Sequence, residues 1–285
     1  MKLARCTDGG APFWAVVDVE RAEVRAVEGT ITDWGPALTR CMGLGTGQEL
    51  LKFTGPARAL TTVRLLPPIA KTNRVVVAGA NYAKHLAADF GIKPHSQPIA
   101  FLKAYGALIG ANDPMRYPPL TRELDHEVEL VAVIGAEHVD HQDPLASVLG
   151  YTVGNDVSAR DLQRSGPPGV GMDLFAAKSA DLTTGLGPWI VTRDEFPQGS
   201  PSLRLLLRVN GELRQDGDTA EMTWDVGHLV RFVDERSRFE CGDVMFTGSP
   251  AGTGQGSGKF LKLGDVVEAE IPGIGTLRNI VTAMN

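Results

Sequence analysis

From Arg74 onward the sequence consists mainly of short runs rich in β-branched residues, separated by turns that contain glycine and proline. The predicted strands cover residues 74–78, 98–103, 127–134, 189–192, 203–210, 244–247, 266–271 and 276–281. Helical spacing of apolar residues in this part of the chain is confined to the short segments 82–90, 158–164 and 224–234. Because a doubly wound parallel sheet needs a helix between successive strands, this pattern instead predicts a strand-dominated α+β fold, a curled sheet or open barrel.

The first 69 residues have the pattern of a separate small unit. Short β-branched runs at 13–19 and 23–27 precede a helical segment at 33–42, and the Leu-Leu-Pro-Pro sequence at 65–68 is typical of a linker. The sequence therefore predicts a small N-terminal domain at residues 1–69 and a larger domain at residues 70–285.

Composition argues against several classes of partner. The 28 Lys and Arg residues are outnumbered by 34 Asp and Glu residues, and no basic cluster offsets the net charge of −6, so nucleic acid is not expected as a partner. No apolar run approaches the roughly 18 residues of a membrane span, so no membrane association is expected either. The three cysteines are odd in number and far apart, which favours a reducing cytoplasm over a disulfide framework.

Two polar segments imitate familiar functional motifs. The glycines of segment 252–259 lack the spacing of a nucleotide-binding loop, and Phe260 stands where a phosphate loop needs Ser or Thr. Segment 138–143 holds two His and two Asp residues, but its wholly polar sequence after a strand is more typical of a solvated loop than of a metal site.

Two carboxylates stand at the start of an apolar strand. The side chains of Glu127 and Glu129 project from the same face, because residues two apart in a strand do so. Two like charges at this spacing repel each other unless a cation lies between them, and ligation by oxygen alone suits Mg²⁺, Mn²⁺ or Ca²⁺ better than zinc. The alternative is that both residues lie on the exposed face of an edge strand.

A third carboxylate, Asp156, follows the strand-like run 150–155 and precedes a short helix. It occupies a corner from which it can reach outward, although capping of the helix would explain it equally well. Arg160 and Gln163 then share one helical face, and their guanidinium and amide groups suit a carboxylate or a carbonyl-rich ligand.

Further sequence motifs occur in a fixed order with these residues: 79–82 with His85, 98–103, 126–130, 150–163, Lys178 before Gly187-Pro188, 242–244, 247–254 and 263–267. In this order they resemble the fumarylacetoacetate hydrolase superfamily over residues 70–285. That superfamily also contains acylpyruvate hydrolases, oxaloacetate decarboxylases and 2-hydroxy-dienoate isomerases.

The resemblance implies a mixed β-sandwich roll with a small N-terminal domain, assembled as a homodimer. It implies a divalent metal, Mg²⁺ or Mn²⁺ with Ca²⁺ also compatible, held by Glu127, Glu129 and Asp156. Lys178 would stand beside the metal as a catalytic residue, although an ordinary surface lysine is the alternative. The implied contacts to a small 2-oxo acid are Tyr82, Arg160, Gln163 and Thr247.

His85 is the predicted general base, because an imidazole with a pKa near neutrality suits proton transfer; a structural histidine is the alternative. Hydrolytic members of the superfamily often carry a Glu three residues after this His, but here the residue is Ala88. Asp89, four residues after His85, lies on the same helical face and is expected to orient the imidazole instead.

These residues lead to a primary hypothesis and two alternatives. The primary hypothesis is a divalent-metal-dependent hydrolase that cleaves a carbon–carbon bond in a 2,4-dioxo acid such as an acylpyruvate or fumarylacetoacetate. The first alternative keeps the metal and the enolate but omits attack by water, as in an oxaloacetate decarboxylase or a 2-hydroxy-dienoate isomerase; Ala88 motivates it. The second is a catalytically silent protein that binds a small acid. The Gly- and Pro-rich loop 164–173 is expected to act as a substrate lid or to be a plain surface loop.

Overall fold

Strands predominate in the computed structural model, which describes residues 1–42, 47–169, 171–197 and 199–284. The strands are β1 (Lys2–Thr7), β2 (Phe13–Asp18), β3 (Glu23–Val27), β4 (Arg58–Ala59), β5 (Arg64–Leu66), β6 (Val75–Gly79), β7 (Ile99–Lys103), β8 (Leu108–Ile109), β9 (Met115–Tyr117), β10 (Leu124–Asp125), β11 (Val128–Ile134), β12 (Val148–Asn155), β13 (Ser158–Ala159), β14 (Thr184–Thr192), β15 (Arg204–Val209), β16 (Glu212–Asp218), β17 (Val244–Phe246), β18 (Val266–Ile271) and β19 (Gly275–Ala283). The helices are α1 (Ile31–Arg40), α2 (Ala83–His85), α3 (Arg160–Gln163), α4 (Leu174–Lys178), α5 (Val226–Asp234) and α6 (Gly254–Ser257).

One large sheet runs through most of the molecule in the order β4-β3-β2-β1-β14-β12-β11-β17-β6-β7, with β5 also paired to β1 and β8 to β14. A second sheet has the order β16-β15-β18-β19-β9, and β10 pairs with β13. Most neighbouring strands are antiparallel, whereas β17–β6, β14–β8 and β19–β9 are parallel. The strand-dominated α+β fold with mixed sheets is therefore confirmed.

The large sheet has a core on each face. Along β11, Val128, Leu130 and Ala132 belong to a core shared with Leu205 and Leu207 of the second sheet. Strand β11 is buried along its whole length because it is covered on both sides, which explains its continuous apolar sequence.

The opposite face of the large sheet packs against α1. Val131 and Val133 of β11 share this second core with Trp34 and Leu38 of the helix. Glu127 and Glu129 have the same parity along the chain as these valines, so the two carboxylates project toward this side of the large sheet.

The N-terminal strands extend the large sheet. Leu3 of β1 pairs antiparallel with Ile190 of β14, so strands on the two sides of the predicted boundary at residues 69 and 70 share one ladder of hydrogen bonds. The boundary itself stays a prediction.

The predicted helix over 82–90 consists of α2 followed by a π-helical turn, Leu86–Phe90, which ends at Gly91 in the left-handed conformation (φ 67°). The predicted helix over 224–234 begins two residues later, after Asp225 caps it. No helix within the described part of the chain combines the length and apolarity that a bilayer span requires.

The segment predicted as a helix over 158–164 is helical for only four residues. Ser158 and Ala159 are extended and pair with β10, and Ala159 is the N-cap of α3. Asp156 therefore does not cap the helix, and its side chain is available for other partners.

Candidate active site

Three buried carboxylates meet where β11 begins and β12 ends. The register places Val128 opposite Asn155, so Glu127 and Asp156 lie next to each other at this edge of the antiparallel pair. One oxygen from each of Glu127, Glu129 and Asp156 lies within 4.8 Å of the others, and the three residues are at most 5% exposed. The predicted ligand residues are thus brought together, and the exposed edge-strand alternative is excluded.

The protonation of the carboxylates differs because their surroundings differ. Burial, together with the charges of Asp156 and Glu127, raises the pKa of Glu129 well above its usual value, and one hydrogen bond from the Gly248 amide (2.7 Å) does not offset this. Burial alone would raise the pKa of Glu127 as well, but the charges of Arg160 and Lys178 outweigh it and hold that pKa below its usual range.

Two buried lysines contact the carboxylates from α4 and β7. Lys178 Nζ lies 2.6 Å from both Glu127 Oε2 and Asp156 Oδ2, so Lys178 is not a surface lysine. Lys103 Nζ lies 2.8 Å from Asp156 Oδ1 and donates to Thr184 Oγ1 at 2.8 Å. Sequence analysis assigned no role to Lys103; the available signal was a lysine ending an otherwise apolar strand.

The pKa values of the two lysines shift in opposite directions. For Lys103, burial lowers the pKa, and the attraction of Asp156 does not fully compensate. For Lys178, burial also lowers the pKa, but the charges of Asp156 and Glu127 outweigh it, so the net shift is upward. Lys178 is therefore a firmly charged ammonium group beside the carboxylates.

Arg160 connects the carboxylates to a second layer of residues. Its Nε donates to Asp125 Oδ2 at 2.7 Å, its Nη2 donates to Glu127, and its Nη1 donates to Gln163 Oε1 at 3.2 Å. The last contact confirms that Arg160 and Gln163 share a helical face. Asp125 in turn accepts hydrogen bonds from the amides of Gly254 (2.6 Å) and Gln255 (3.0 Å).

His85 is buried and paired with Asp89. Its Nδ1 lies 2.8 Å from Asp89 Oδ2, the contact that sequence analysis expected in place of a glutamate at position 88. The same carboxylate oxygen accepts from the amides of Gly252 and Thr253 (3.2 and 3.1 Å) and from Thr253 Oγ1 (2.8 Å). Burial alone would raise the pKa of Asp89, but the hydrogen bonds from His85 and Thr253 outweigh it, so Asp89 titrates below its usual range.

A cavity of about 140 Å³ joins these groups. Its wall contains seven of the predicted site residues: His85, Glu127, Glu129, Asp156, Arg160, Gln163 and Lys178. Met172 from the loop 164–173 also lines it; Val170 of that loop lies outside the described residues.

Tyr82 and Thr247, predicted as substrate contacts, are absent from the described wall of the cavity. Thr247 Oγ1 donates to the Leu130 carbonyl at 2.8 Å, and Tyr82 is 1% exposed. The wall contains their sequence neighbours Ala80, Gly248 and Ser249 instead.

The chemistry of the donor groups fits a hard divalent cation. Four buried carboxylates, those of Asp125, Glu127, Glu129 and Asp156, face three buried cations, Lys103, Lys178 and Arg160. The all-oxygen donor set suits Mg²⁺ or Mn²⁺, and Glu127, Glu129 and Asp156 are the candidate ligand residues.

Known proteins resemble the chain over most of its length. Residues 74–282 match the family model described as fumarylacetoacetate (FAA) hydrolase C-terminal. Human oxaloacetate tautomerase FAHD2A, mitochondrial, is 36% identical over 242 residues, which cover 84% of this chain and 76% of the relative.

Two solved structures share the fold along the whole chain. One is 5-carboxymethyl-2-hydroxymuconate delta-isomerase from Mycobacterium smegmatis (TM-score 0.79, 33% identity, 100% of both chains covered). The other is a fumarylacetoacetate hydrolase from Exiguobacterium antarcticum (TM-score 0.76, 34% identity, 100% of both chains covered). The protein therefore belongs to the fumarylacetoacetate hydrolase family.

Proposed function

We propose that this protein is a divalent-metal-dependent hydrolase that cleaves a carbon–carbon bond of a 2,4-dioxo acid. The observation that carries the proposal is the hydrogen-bonded pair His85–Asp89, whose imidazole lies on the wall of the same cavity as the three carboxylates. A carboxylate-oriented imidazole is what activation of a water molecule requires, and Ala88 does not remove it.

The carboxylate end of the site would receive the 2-oxo acid portion of the substrate. A divalent cation held by Glu127, Glu129 and Asp156 would supply Lewis-acid stabilisation of charge on the keto oxygen. The Lys178 ammonium, 2.6 Å from two of these carboxylates, adds a hydrogen-bond donor beside the same oxygen. Arg160 holds Glu127 and Gln163 in place, and Gln163, which lies on the cavity wall, would contact the substrate.

His85 would act at the other carbonyl group. With Nδ1–H donating to Asp89, Nε2 is free to take a proton from water while the hydroxyl group adds to the C4 carbonyl carbon. The C3–C4 bond then breaks, its electron pair passes to C3, and a proton delivered to C3 completes pyruvate. The second product is the carboxylic acid that contains the new oxygen.

A second candidate function uses the same groups without water attack. It is supported by the human oxaloacetate tautomerase and the mycobacterial isomerase, which resemble this chain as strongly as the hydrolase does. In a tautomerase or isomerase, His85 would move a proton between carbon and oxygen of a 2-oxo acid, and no carbon–carbon bond would break. In an oxaloacetate decarboxylase, the bond to the far carboxylate would break and carbon dioxide and pyruvate would be released.

An ultraviolet assay with Mg²⁺ against acetylpyruvate, fumarylpyruvate and oxaloacetate separates the two candidates. We expect the diketone absorbance to disappear with release of pyruvate, and solvent ¹⁸O to enter the new carboxylate. A chelator and His85→Ala should each abolish this activity, whereas His138→Ala, in an exposed loop, should not. Loss of the enol signal of oxaloacetate without pyruvate release would establish the second candidate, and failure to bind any divalent ion would indicate the silent protein.

Two further expectations accompany the proposal. The resemblance predicts a homodimer, so sedimentation at micromolar concentration should give about twice the 30.5 kDa chain mass. A sedimentation mass of about 30.5 kDa, that of a single protomer, would contradict this. The cytoplasmic location expected from the cysteines stays a prediction.

A further inference from the structure

One part of the cavity wall is apolar. We call it the apolar mouth; it consists of Phe90, Ile92, Ile99, Phe101, Met172 and Leu174. Ile92 and Met172 are 45% and 56% exposed, so these large apolar side chains are only partly covered by the protein. Apolar surface exposed inside a concave site, rather than scattered over the molecule, points to a ligand that covers it.

The apolar mouth begins directly beside the catalytic groups. The ring of Phe90 meets the His85 ring edge-on with centroids 5.2 Å apart, and the Arg160 guanidinium lies 5.6 Å from the centre of the same ring. A substituent on the carbonyl carbon that His85 serves would therefore lie beside Phe90.

Cations for a second carboxylate are lacking in the described wall. Within the described wall, Arg160 and Lys178 are the residues with a permanent positive charge. Both already form ion pairs: Arg160 with Asp125 and Glu127, and Lys178 with Glu127 and Asp156. The described wall also contains two histidines: His85, which is paired with Asp89, and His95, which is exposed. A carboxylate carried into the apolar mouth would lose hydration without gaining a strong ion pair.

We propose that this site selects 2-oxo acids whose far end is an uncharged, apolar group, such as an alkyl or aryl acyl chain, over those that end in a second carboxylate. The inference rests on the proposed function, which places the 2-oxo acid end at the three carboxylates. Each methylene group that the apolar mouth covers strengthens binding by about fourfold.

The test is a matched pair of ligands that lack the scissile bond. 2-Oxohexanoate and 2-oxohexanedioate have the same number of carbons and differ in whether the far end is methyl or carboxylate. In titration calorimetry with Mg²⁺ present, we expect the monocarboxylate to bind about tenfold or more tightly than the dicarboxylate. Equal or tighter binding of the dicarboxylate overturns the inference and leaves the proposed function standing. Binding of Mg²⁺ with no binding of either 2-oxo acid overturns both.

A positive charge placed in the apolar mouth tests whether the far end of the ligand lies there. Ile92→Arg should shift the ratio of the two affinities toward 2-oxohexanedioate by about tenfold. Leu120→Arg is the matched control, because Leu120 is 79% exposed and outside the described cavity wall; it should leave the ratio unchanged. An unchanged ratio in Ile92→Arg, with both ligands still bound, would show that the tail lies elsewhere. His95→Leu should leave the affinity for 2-oxohexanedioate unchanged, and weaker binding of this dicarboxylate would show that His95 recognises its far end.

Discussion

Glu129 has the fewest compensating contacts of the three carboxylates in the described site. Its side chain accepts one hydrogen bond, from Gly248, whereas Glu127 contacts Arg160 and Lys178 and Asp156 contacts both lysines. A divalent cation would therefore change the surroundings of Glu129 more than those of the other two.

Replacing Glu129 by the isosteric amide should remove metal binding without removing the fold. We expect Glu129→Gln to weaken binding of Mn²⁺ about 100-fold or more in calorimetry, because the amide has lost the charge that attracts the ion. Glu137→Gln, on an exposed residue, is the control. Unchanged affinity in Glu129→Gln would refute the ligand assignment.

The buried thiol of Cys6 should make the protein less stable at alkaline pH. Burial raises the pKa of this thiol from 9.0 to about 12, so above pH 9 the unfolded chain gives up a proton that the folded protein keeps. The free energy of unfolding should then fall by about 1.4 kcal/mol per pH unit between about pH 9 and 11 because of this group. The free energy of unfolding, measured by denaturant titration at several pH values, should fall less steeply with pH in Cys6→Ala than in the wild type, by this amount.

A buried neighbour without a thiol provides the control for that measurement. Val17 belongs to the same apolar cluster as Cys6. Val17→Ala should lower stability equally at every pH and keep the alkaline slope. If the free energy of unfolding of Cys6→Ala fell as steeply with pH as that of the wild type, the alkaline slope would come from other groups.

Residue patterns predicted the candidate site in part. The spacing of Glu127 and Glu129 was sufficient to place them on one face, and position i+4 was sufficient to pair Asp89 with His85. Lys103 was missed because its partner Asp156 lies 53 positions away and no local pattern connects them.

At the scale of elements, the glycine-rich segment 252–258 has a definite structural task. Amides of Gly252 and Thr253 bind Asp89, and amides of Gly254 and Gln255 bind Asp125. The turn that begins α6 therefore holds both the carboxylate that orients His85 and the carboxylate that orients Arg160. This explains the glycines that do not fit a nucleotide loop.

A methyl group added to this turn should disturb the His85–Asp89 pair. A Cβ at Gly256 would approach Asp89 Oδ1 and its carboxyl carbon more closely than van der Waals contact allows. We expect Gly256→Ala to lower kcat about 10- to 100-fold while Mn²⁺ affinity stays unchanged, because the imidazole is displaced but the metal ligands are not. Gly10→Ala, on an exposed turn, is the control. Wild-type kcat in Gly256→Ala would show that Asp89 tolerates the shift.

Strand positions were predicted best where both faces are buried. Strand β11 has a continuous apolar sequence and was identified within one residue. Strand β16 was missed, because it lies at the edge of the second sheet and its sequence, Glu-Leu-Arg-Gln-Asp-Gly-Asp, is mostly polar. Hydrophobic pattern does not reveal a strand that needs little apolar surface.

At the scale of the whole molecule, the large sheet joins the predicted N-terminal domain to the predicted larger domain. Leu3 is fully buried and pairs with Ile190, and both belong to the core that also contains Val131 of β11. Sequence could not predict this pairing, because the linker-like prolines suggest separation and the partners are far apart in the chain.

The shared core predicts a single cooperative unfolding transition. Leu3→Ala should destabilise the protein by about 2–5 kcal/mol. The midpoint of unfolding should fall by the same amount for every probe, including tryptophans on both sides of residue 69. Differential scanning calorimetry and tryptophan fluorescence are the measurements, with Val19→Ala, 47% exposed, as the control. Two separate transitions, of which Leu3→Ala moves one, would establish residues 1–69 as an independent unit.

The pairing of β1 with β14 also has a consequence for synthesis. Ile190 is translated 187 residues after its partner Leu3, which takes about 10–40 s at ordinary elongation rates. Until then, β2 pairs with one edge of β1, while the other edge is paired with β5 at Arg5–Thr7 and has no partner at Lys2 and Leu3. The nascent chain therefore carries a partly open strand edge at the ribosome, where it is exposed to chaperones and to neighbouring nascent chains.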